Sequence, residues 1–199
     1  MRFVLASASP ARLATLRRAG VRPEVIVSGV EEDAVTAATP GELALRLAEL
    51  KAGAVAEQVA QSSALVLGCD SLLELDGGPL GKPGTAAAAA QRWRTMRGRS
   101  ATLHTGHCLI DTAGGTRVSR GVGTEVRFAD ITDDEIDAYC ATGEPVAVAG
   151  AFTVDGLGGW FVEGVTGDHH NVVGVSLPVV RAMLRELGHR LGDIGYPAR

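Results

Sequence analysis

The run Ala64-Leu65-Val66-Leu67-Gly68-Cys69 carries no strongly polar side chain over the length of a strand and ends on a carboxylate, Asp70. A half-exposed strand alternates polar and apolar residues, and a surface helix interrupts its apolar positions within each turn. An unbroken run predicts a central strand buried on both faces, which needs helices or loops covering each side of its sheet. The flanking segments supply that cover. Upstream, residues 3–6 read as a short buried strand. Ser9 then offers an N-cap oxygen, Pro10 suits the first helical position, and Leu13, Leu16 and Ala19 share one face until Gly20. Residues 24–30 read as a second strand. Thr39-Pro40-Gly41-Glu42 is a capping box that opens a helix through Leu43, Leu47, Leu50 and Ala54 to about Ala60.

Downstream, residues 72–75 and 79–80 flank Asp76-Gly77-Gly78 as a hairpin, and an alanine-rich helix follows Gly84 to about Met96. Residues 102–110 and 116–128 are longer strands joined at Ala113-Gly114-Gly115. Thr132-Asp133-Asp134-Glu135 is a second capping box, starting a helix closed by Gly143. The glycine-rich stretch 146–175 reads as β-like, Ser176-Leu177-Pro178 opens a last helix, and the tail from Gly192 reads as frayed. Strand–helix units first and hairpins later predict an α/β protein: a mixed, twisted sheet with flanking helices. No linker separates two units, so residues 1–199 are expected to form a single domain.

Composition narrows the class of function. The formal net charge of -4 argues against a broad basic surface for nucleic acid. No apolar run approaches the roughly 18 residues of a membrane helix, and the first six residues are too short for a signal-peptide core. Cys69, Cys108 and Cys140 are odd in number and widely spaced, which fits buried thiols in a cytoplasmic protein with no membrane partner. Among 19 basic residues only Lys51 and Lys82 are lysines. A compact ammonium suits a phosphate oxygen as a point charge, whereas a guanidinium demands a planar fork.

Four places carry candidate chemistry. Ser7-Ala8-Ser9-Pro10-Ala11-Arg12 joins a strand end, two hydroxyls, a helix N-terminus and a guanidinium, which are the parts of an anion site. The competing reading is an ordinary N-cap with a surface arginine. Gly68-Cys69-Asp70-Ser71 places a carboxylate at the expected C-terminal end of the central strand, where open α/β sheets bind ligands. It suits cation binding or proton abstraction from water, or simply a strand-end turn. The two lysines are the third, and the acidic run Glu31-Glu32-Asp33 is the fourth, either a cation ligand or a solvated turn.

Taken in order, Ser7-Ala8-Ser9-Pro10-Ala11-Arg12, Val30-Glu31-Glu32, Leu47-Ala48-Glu49-Leu50-Lys51-Ala52, Gly68-Cys69-Asp70-Ser71 and Gly81-Lys82-Pro83 resemble the Maf family. Tyr139, Thr142-Gly143-Glu144-Pro145, Ala149-Gly150-Ala151-Phe152 and Asn171-Val172-Val173-Gly174 extend the likeness to nearly the whole chain. The resemblance implies a Maf/ITPase-like fold of two lobes around a deep cleft. It also implies a cytoplasmic, often homodimeric nucleoside triphosphate pyrophosphatase dependent on Mg²⁺ or Mn²⁺. It makes Asp70 the catalytic carboxylate, places Glu32 with Asp70 on the metal, and assigns Ser7, Ser9, Arg12, Lys51 and Lys82 to the substrate. A nucleotide-binding regulator of septum formation, with little turnover, is the alternative that the family's link to cell division raises.

The sequence also departs from the pattern. Ala11, Ser71 and Asp155 stand where the dTTP/UTP-type members of the family carry arginine, threonine and glutamine, and they are read as the base-selecting set. Asp155 replaces an amide with an acceptor-only carboxylate, which suits a base edge presenting N–H donors.

Overall fold

The computed structural model describes residues 1–197. Thirteen regular elements follow one another: β1 (Arg2–Leu5), α1 (Pro10–Arg18), β2 (Glu24–Val25), α2 (Pro40–Gln58), β3 (Ala64–Leu75), β4 (Gly78–Leu80), α3 (Ala86–Met96), β5 (Ser100–Asp111), β6 (Thr116–Phe128), α4 (Asp133–Ala141), β7 (Val162–Thr166), α5 (His169–Val173) and α6 (Leu177–Glu186). The strands form one mixed sheet in the order β2-β1-β3-β5-β6-β7, with β4 on β3. β1 runs parallel to β2 and β3, and the β3–β5, β5–β6 and β6–β7 pairs are antiparallel. No helix among the described residues is long and apolar enough to cross a membrane.

The apolar run is indeed central, with residues 64–70 all buried. Alternation sends its side chains to opposite faces. Leu65, Leu67 and Cys69 join Leu16 of α1 and Val180, Met183 and Leu184 of α6 in one core. Val66 and Ala64 meet Val55 of α2 and Val59, just past its end, on the other face. A further core lies beyond the first along the same strand, where Leu73 meets Trp93 of α3, Phe128, and Ile136 and Tyr139 of α4. Trp93 sits edge-on to Phe128, Tyr139 and Phe161 at 5.4–5.8 Å between ring centroids, the geometry favoured by opposed aromatic quadrupoles. All three cysteines are buried and free.

Both capping boxes form, with Thr39 and Glu42 on α2 and Thr132 and Glu135 on α4. Several expectations fail. β2 is two residues rather than seven, because only Glu24 and Val25 pair with β1 before the chain turns toward the acidic run. Residues 72–75 are not a separate strand but the continuation of β3, which passes through Asp70 without a break. The stretch 146–175 is not mainly β. Its glycines fold it into 3-10 turns, and only β7 and the short α5 are regular. The tail is ordered over 191–194 by a 3-10 turn whose Ile194 is buried with Leu16 and Met183. Ala198 and Arg199 lie outside the described residues.

Candidate active site

The position of Asp70 follows from how β3 is paired. β1 accompanies β3 only as far as Leu67, where Ala6 N–H donates to Leu67 O at 2.8 Å. β4 takes up the same edge again at Leu73. Residues 68–72 therefore have a strand neighbour on the β5 side alone, and a notch opens in the sheet edge. Asp70 is not at the end of its strand, as expected, but it lies just past the end of the parallel portion. That is the ligand position of an open α/β sheet in all but name.

On one face of the notch, α2 lies almost in backbone contact with the sheet. A Cβ on Gly68 would fall 2.3 Å from Ala48 O, and one on Gly106 would fall 2.3 Å from Ala44 O. The facing stripe of α2, Ala44, Ala48 and Ala52, is equally small and fully buried. This approach brings Lys51, one turn from Ala48, onto Asp70. Lys51 Nζ donates to Asp70 Oδ1 at 2.5 Å and lies 2.7 Å from Glu32 Oε1. The Lys51 and Asp70 side chains are each 9% exposed, whereas Glu32 is 46% exposed and closes the cluster from solvent.

Ser71 points to the opposite face and meets Arg12, which is buried. Arg12 Nε donates to Gly174 O at 2.8 Å, Nη1 to Ser7 Oγ at 3.0 Å and Nη2 to Ser71 Oγ at 2.9 Å. Ser71 Oγ lies 2.9 Å from Thr105 Oγ1, which donates to Asn171 O at 3.0 Å. Asn171 Nδ2 binds Leu103 O and Thr124 Oγ1. His107, from β5, accepts Ser176 N–H at 2.8 Å, holding the turn whose Gly174 receives Arg12. Burial, reinforced by the Arg12 charge, pushes the His107 imidazole down to about 4. This polar belt separates the α1/α6 core from the α3/α4 core. Ser9 caps α1 by accepting Arg12 backbone N–H at 3.4 Å, so the turn read from the sequence as an anion-site candidate is a helix cap in the structure.

The sequence model of the family described as Maf-like protein matches residues 2–187. The chain belongs to the Maf-like family. It is 58% identical over 197 residues to a protein of Streptomyces coelicolor named nucleoside triphosphate pyrophosphatase, covering 99% of this chain and 96% of that one. A protein of the same name from Streptomyces avermitilis is 59% identical, covering 98% and 95% of the two chains, and one from Mycobacterium sp. (strain JLS) is 49% identical, covering 99% and 97%. Among solved structures, the Staphylococcus aureus Ham1 protein aligns with a TM-score of 0.44 at 18% identity, over 65% of this chain and 73% of that one.

Within this Maf-like fold the expected site residues form two groups rather than one. Glu32, Lys51 and Asp70 meet on the α2 face. Ser7, Arg12 and Ser71 meet on the α1 face, with Ser9 capping the same helix. Lys82 joins neither: it is exposed on the loop after β4, with no hydrogen bond or ion pair among the described residues. Its loop is tied to the 3-10 turns by Gly84 N–H to Val146 O at 3.0 Å and Gly150 N–H to Gly81 O at 3.2 Å. Ala11, Ser71 and Asp155 are not brought together either. Ala11 is half-buried in the first turn of α1, Ser71 belongs to the Arg12 network, and Asp155 meets Arg18 at 3.9 Å.

Thr105, Gly106, His107 and Asn171 carry no assigned role in the sequence reading, where Asn171 enters only as part of Asn171-Val172-Val173-Gly174. The polar residues Thr105 and His107 on either side of Gly106, just before the apolar Cys108-Leu109-Ile110, are the available signal. A depression of about 690 Å³ along the outer side of α2 includes Arg46, Glu49, Leu50 and Arg117 but none of the site residues, so chemistry rather than volume locates the site.

Proposed function

We propose that the chain hydrolyses nucleoside triphosphates, or their deoxy forms, to the monophosphate and pyrophosphate. The observation that carries this reading is the buried Asp70–Lys51 pair in the sheet notch, one residue from the Arg12 network. It stands in a chain 49–59% identical, over nearly its whole length, to the relatives named nucleoside triphosphate pyrophosphatase. Water attacks the α-phosphorus: its oxygen forms the new P–O bond, and the bond to the oxygen bridging toward the β-phosphorus breaks. The electron pair leaves on pyrophosphate.

In this scheme Asp70 is the catalytic carboxylate. Its Oδ2 carries no protein hydrogen bond among the described residues and is available to take the proton of the attacking water, while Oδ1 is held by Lys51. Arg12, fixed by three hydrogen bonds, uses its remaining N–H groups on phosphate oxygens. The hydroxyls of Ser7 and Ser9 line the same turn. Lys82, with no hydrogen bond or ion pair among the described residues, reaches the phosphates from the other side of the notch. Charge accumulates on the leaving pyrophosphate, so cations placed there lower the barrier.

A divalent cation, Mg²⁺ or Mn²⁺, belongs to the same proposal. The donor set fits one: Asp70 and Glu32 already converge on a single positive centre, the Lys51 ammonium. Among the described residues no group of three or more carboxylate, imidazole or thiol side chains converges to hold a metal. Two carboxylates with the remaining ligands from phosphate and water is the usual arrangement for Mg²⁺ on a nucleotide. When bound, the cation would supply charge neutralisation on the phosphate oxygens. We also place the enzyme in the cytoplasm as a homodimer working as one domain, and assign base selection to Ala11, Ser71 and Asp155.

The test is pyrophosphate release over a panel of natural and modified nucleoside triphosphates with Mg²⁺ and with Mn²⁺. Asp70→Asn should abolish release and keep nucleotide binding. Tight binding by the unaltered chain without metal-dependent pyrophosphate would favour the regulator over the enzyme.

A further inference from the structure

The carboxylate of Glu144 collects four hydrogen bonds at one half-buried point. Its Oε1 accepts from Tyr139 Oη at 2.8 Å, Thr153 Oγ1 at 2.6 Å and Gly158 N–H at 2.9 Å, and its Oε2 accepts from Leu157 N–H at 2.9 Å. Burial alone would raise its pKa, yet these bonds hold the carboxyl below its ordinary range. Tyr139 ties the cluster to the aromatic core through Trp93 and Phe161. The turn around the carboxylate has no room for side chains. A Cβ on Gly156 would fall 2.5 Å from Glu144 Oε2, and one on Gly158 would fall 2.5 Å from Tyr139 Oη.

The residue this turn presents is Asp155, between the wrapped Thr153 and the two glycines. Its partner across the gap is Arg18, Nη1 to Oδ2 at 3.9 Å, the last residue of α1. The N-terminus of α1 carries Ser9 and Arg12. Ser9 to Arg18 at a helical rise of 1.5 Å per residue is about 13 Å, comparable to the separation of triphosphate and base in an extended nucleotide. α1 thus spans the phosphate cluster at one end and the Asp155 turn at the other.

We propose that Glu144 is a positioning residue for nucleobase selection: its carboxylate fixes the Thr153–Gly158 turn, and through it Asp155, at the end of the site opposite the phosphates. The inference rests on the nucleotide site proposed above, and binding tests it apart from turnover. The probes are the α,β-methylene analogues of ATP, GTP, CTP and UTP together with inorganic tripolyphosphate, which has no base. Glu144→Gln keeps the size and loses one acceptor, and Thr153→Val removes one donor while leaving Glu144 in place. In both variants the spread of Kd among the four analogues should narrow, by about tenfold for Glu144→Gln. Tripolyphosphate should bind as in the unaltered chain. An unchanged spread overturns the proposal, as does an unaltered chain that binds all four analogues equally. Equal weakening of tripolyphosphate and nucleotides also overturns it, since that marks general damage. Loss of base discrimination in a chain that releases no pyrophosphate would support this inference while defeating the enzymatic reading.

Discussion

Gly68→Ala isolates the physical reason that Lys51 reaches Asp70. The new methyl would stand 2.3 Å from Ala48 O, 2.7 Å from Ala52 N and 2.9 Å from Ala52 Cβ. Two of these are backbone atoms of a well-packed helix, so no rotamer change relieves them. Restoring ordinary contact of about 3.4 Å requires α2 to retreat from β3 by about 1 Å. Overpacking of this kind costs about 1–3 kcal/mol, and rigid backbone neighbours place it at the upper end. In a chain of this length about 3 kcal/mol corresponds to a Tm lower by about 6–12 °C. The same 1 Å lengthens the 2.5 Å Lys51–Asp70 contact beyond hydrogen-bonding range. In the proposed mechanism a displacement of this size at the pair costs about 100-fold in kcat/KM. Calorimetry and pyrophosphate release on the purified variant read the two effects separately. Gly53→Ala on the same helix is the control. Nothing lies within 4 Å of its added Cβ, so it should gain about 0.5–1 kcal/mol and keep full activity. If Gly68→Ala kept both Tm and activity, α2 would not be pinned to the sheet and the account of the pair would be wrong.

Lys51→Met leaves the buried Asp70 carboxylate without a counter-ion, at a cost of about 3 kcal/mol. Mn²⁺ should then raise its Tm in a thermal-shift titration more than it raises that of the unaltered chain, and an equal rise would argue against a shared cation position. His107 gives a pH dependence. Its folded value of about 4 lies below the ordinary 6.5, so between these pH values the unfolded chain binds the extra proton. Stability is therefore complete above about 6.5 and falls by about 3 kcal/mol as pH drops to 4. Urea titrations of the unaltered chain and of His107→Gln, whose carbonyl can accept the same Ser176 N–H, should diverge only in that window. Lys82→Ala, which breaks no hydrogen bond or ion pair among the described residues, should raise KM with Tm unchanged; a fall in Tm would place Lys82 in the fold instead.

The elements legible in the sequence are those whose signals are local. Ser9-Pro10, Thr39-Glu42 and Thr132-Glu135 announce their helices because a cap is completed within four residues. The run through Cys69 announces the central strand because burial on both faces leaves a mark on every position. The stretch 146–175 reads as β-like but folds mainly into 3-10 turns, because its conformation is set by distant groups. Glu144 gathers donors from 139 to 158, and Gly150 accepts its place against Leu73, with an added Cβ 2.7 Å from that side chain. The site followed the same division. Asp70, Lys51 and Arg12 stood out by residue type in short motifs. Thr105, Asn171 and His107 did not, since their roles depend on a register in which Ser71 faces Thr105 across β3 and β5.

The scarcity of lysine acquires a structural meaning at one of its two positions. Lys51 lies where a helix backbone is pressed onto the sheet by glycine and alanine alone, leaving a narrow, nearly dry space between Asp70 and Glu32. An ammonium meets two carboxylate oxygens from different elements with three rotatable donors, whereas a planar guanidinium would need both oxygens in one fork. Arg12 occupies the opposite kind of place. Its acceptors, Gly174 O, Ser7 Oγ and Ser71 Oγ, are fixed around a single plane's worth of donors by the turn after β1, by β3 and by the turn after α5. The two cations are thus not interchangeable parts of one basic patch. In the proposed mechanism one holds together the carboxylates that would act on water, and the other holds together the turns that would receive phosphate. Exchanging them, Lys51→Arg or Arg12→Lys, should impair both faces of the notch even though the charge is unchanged.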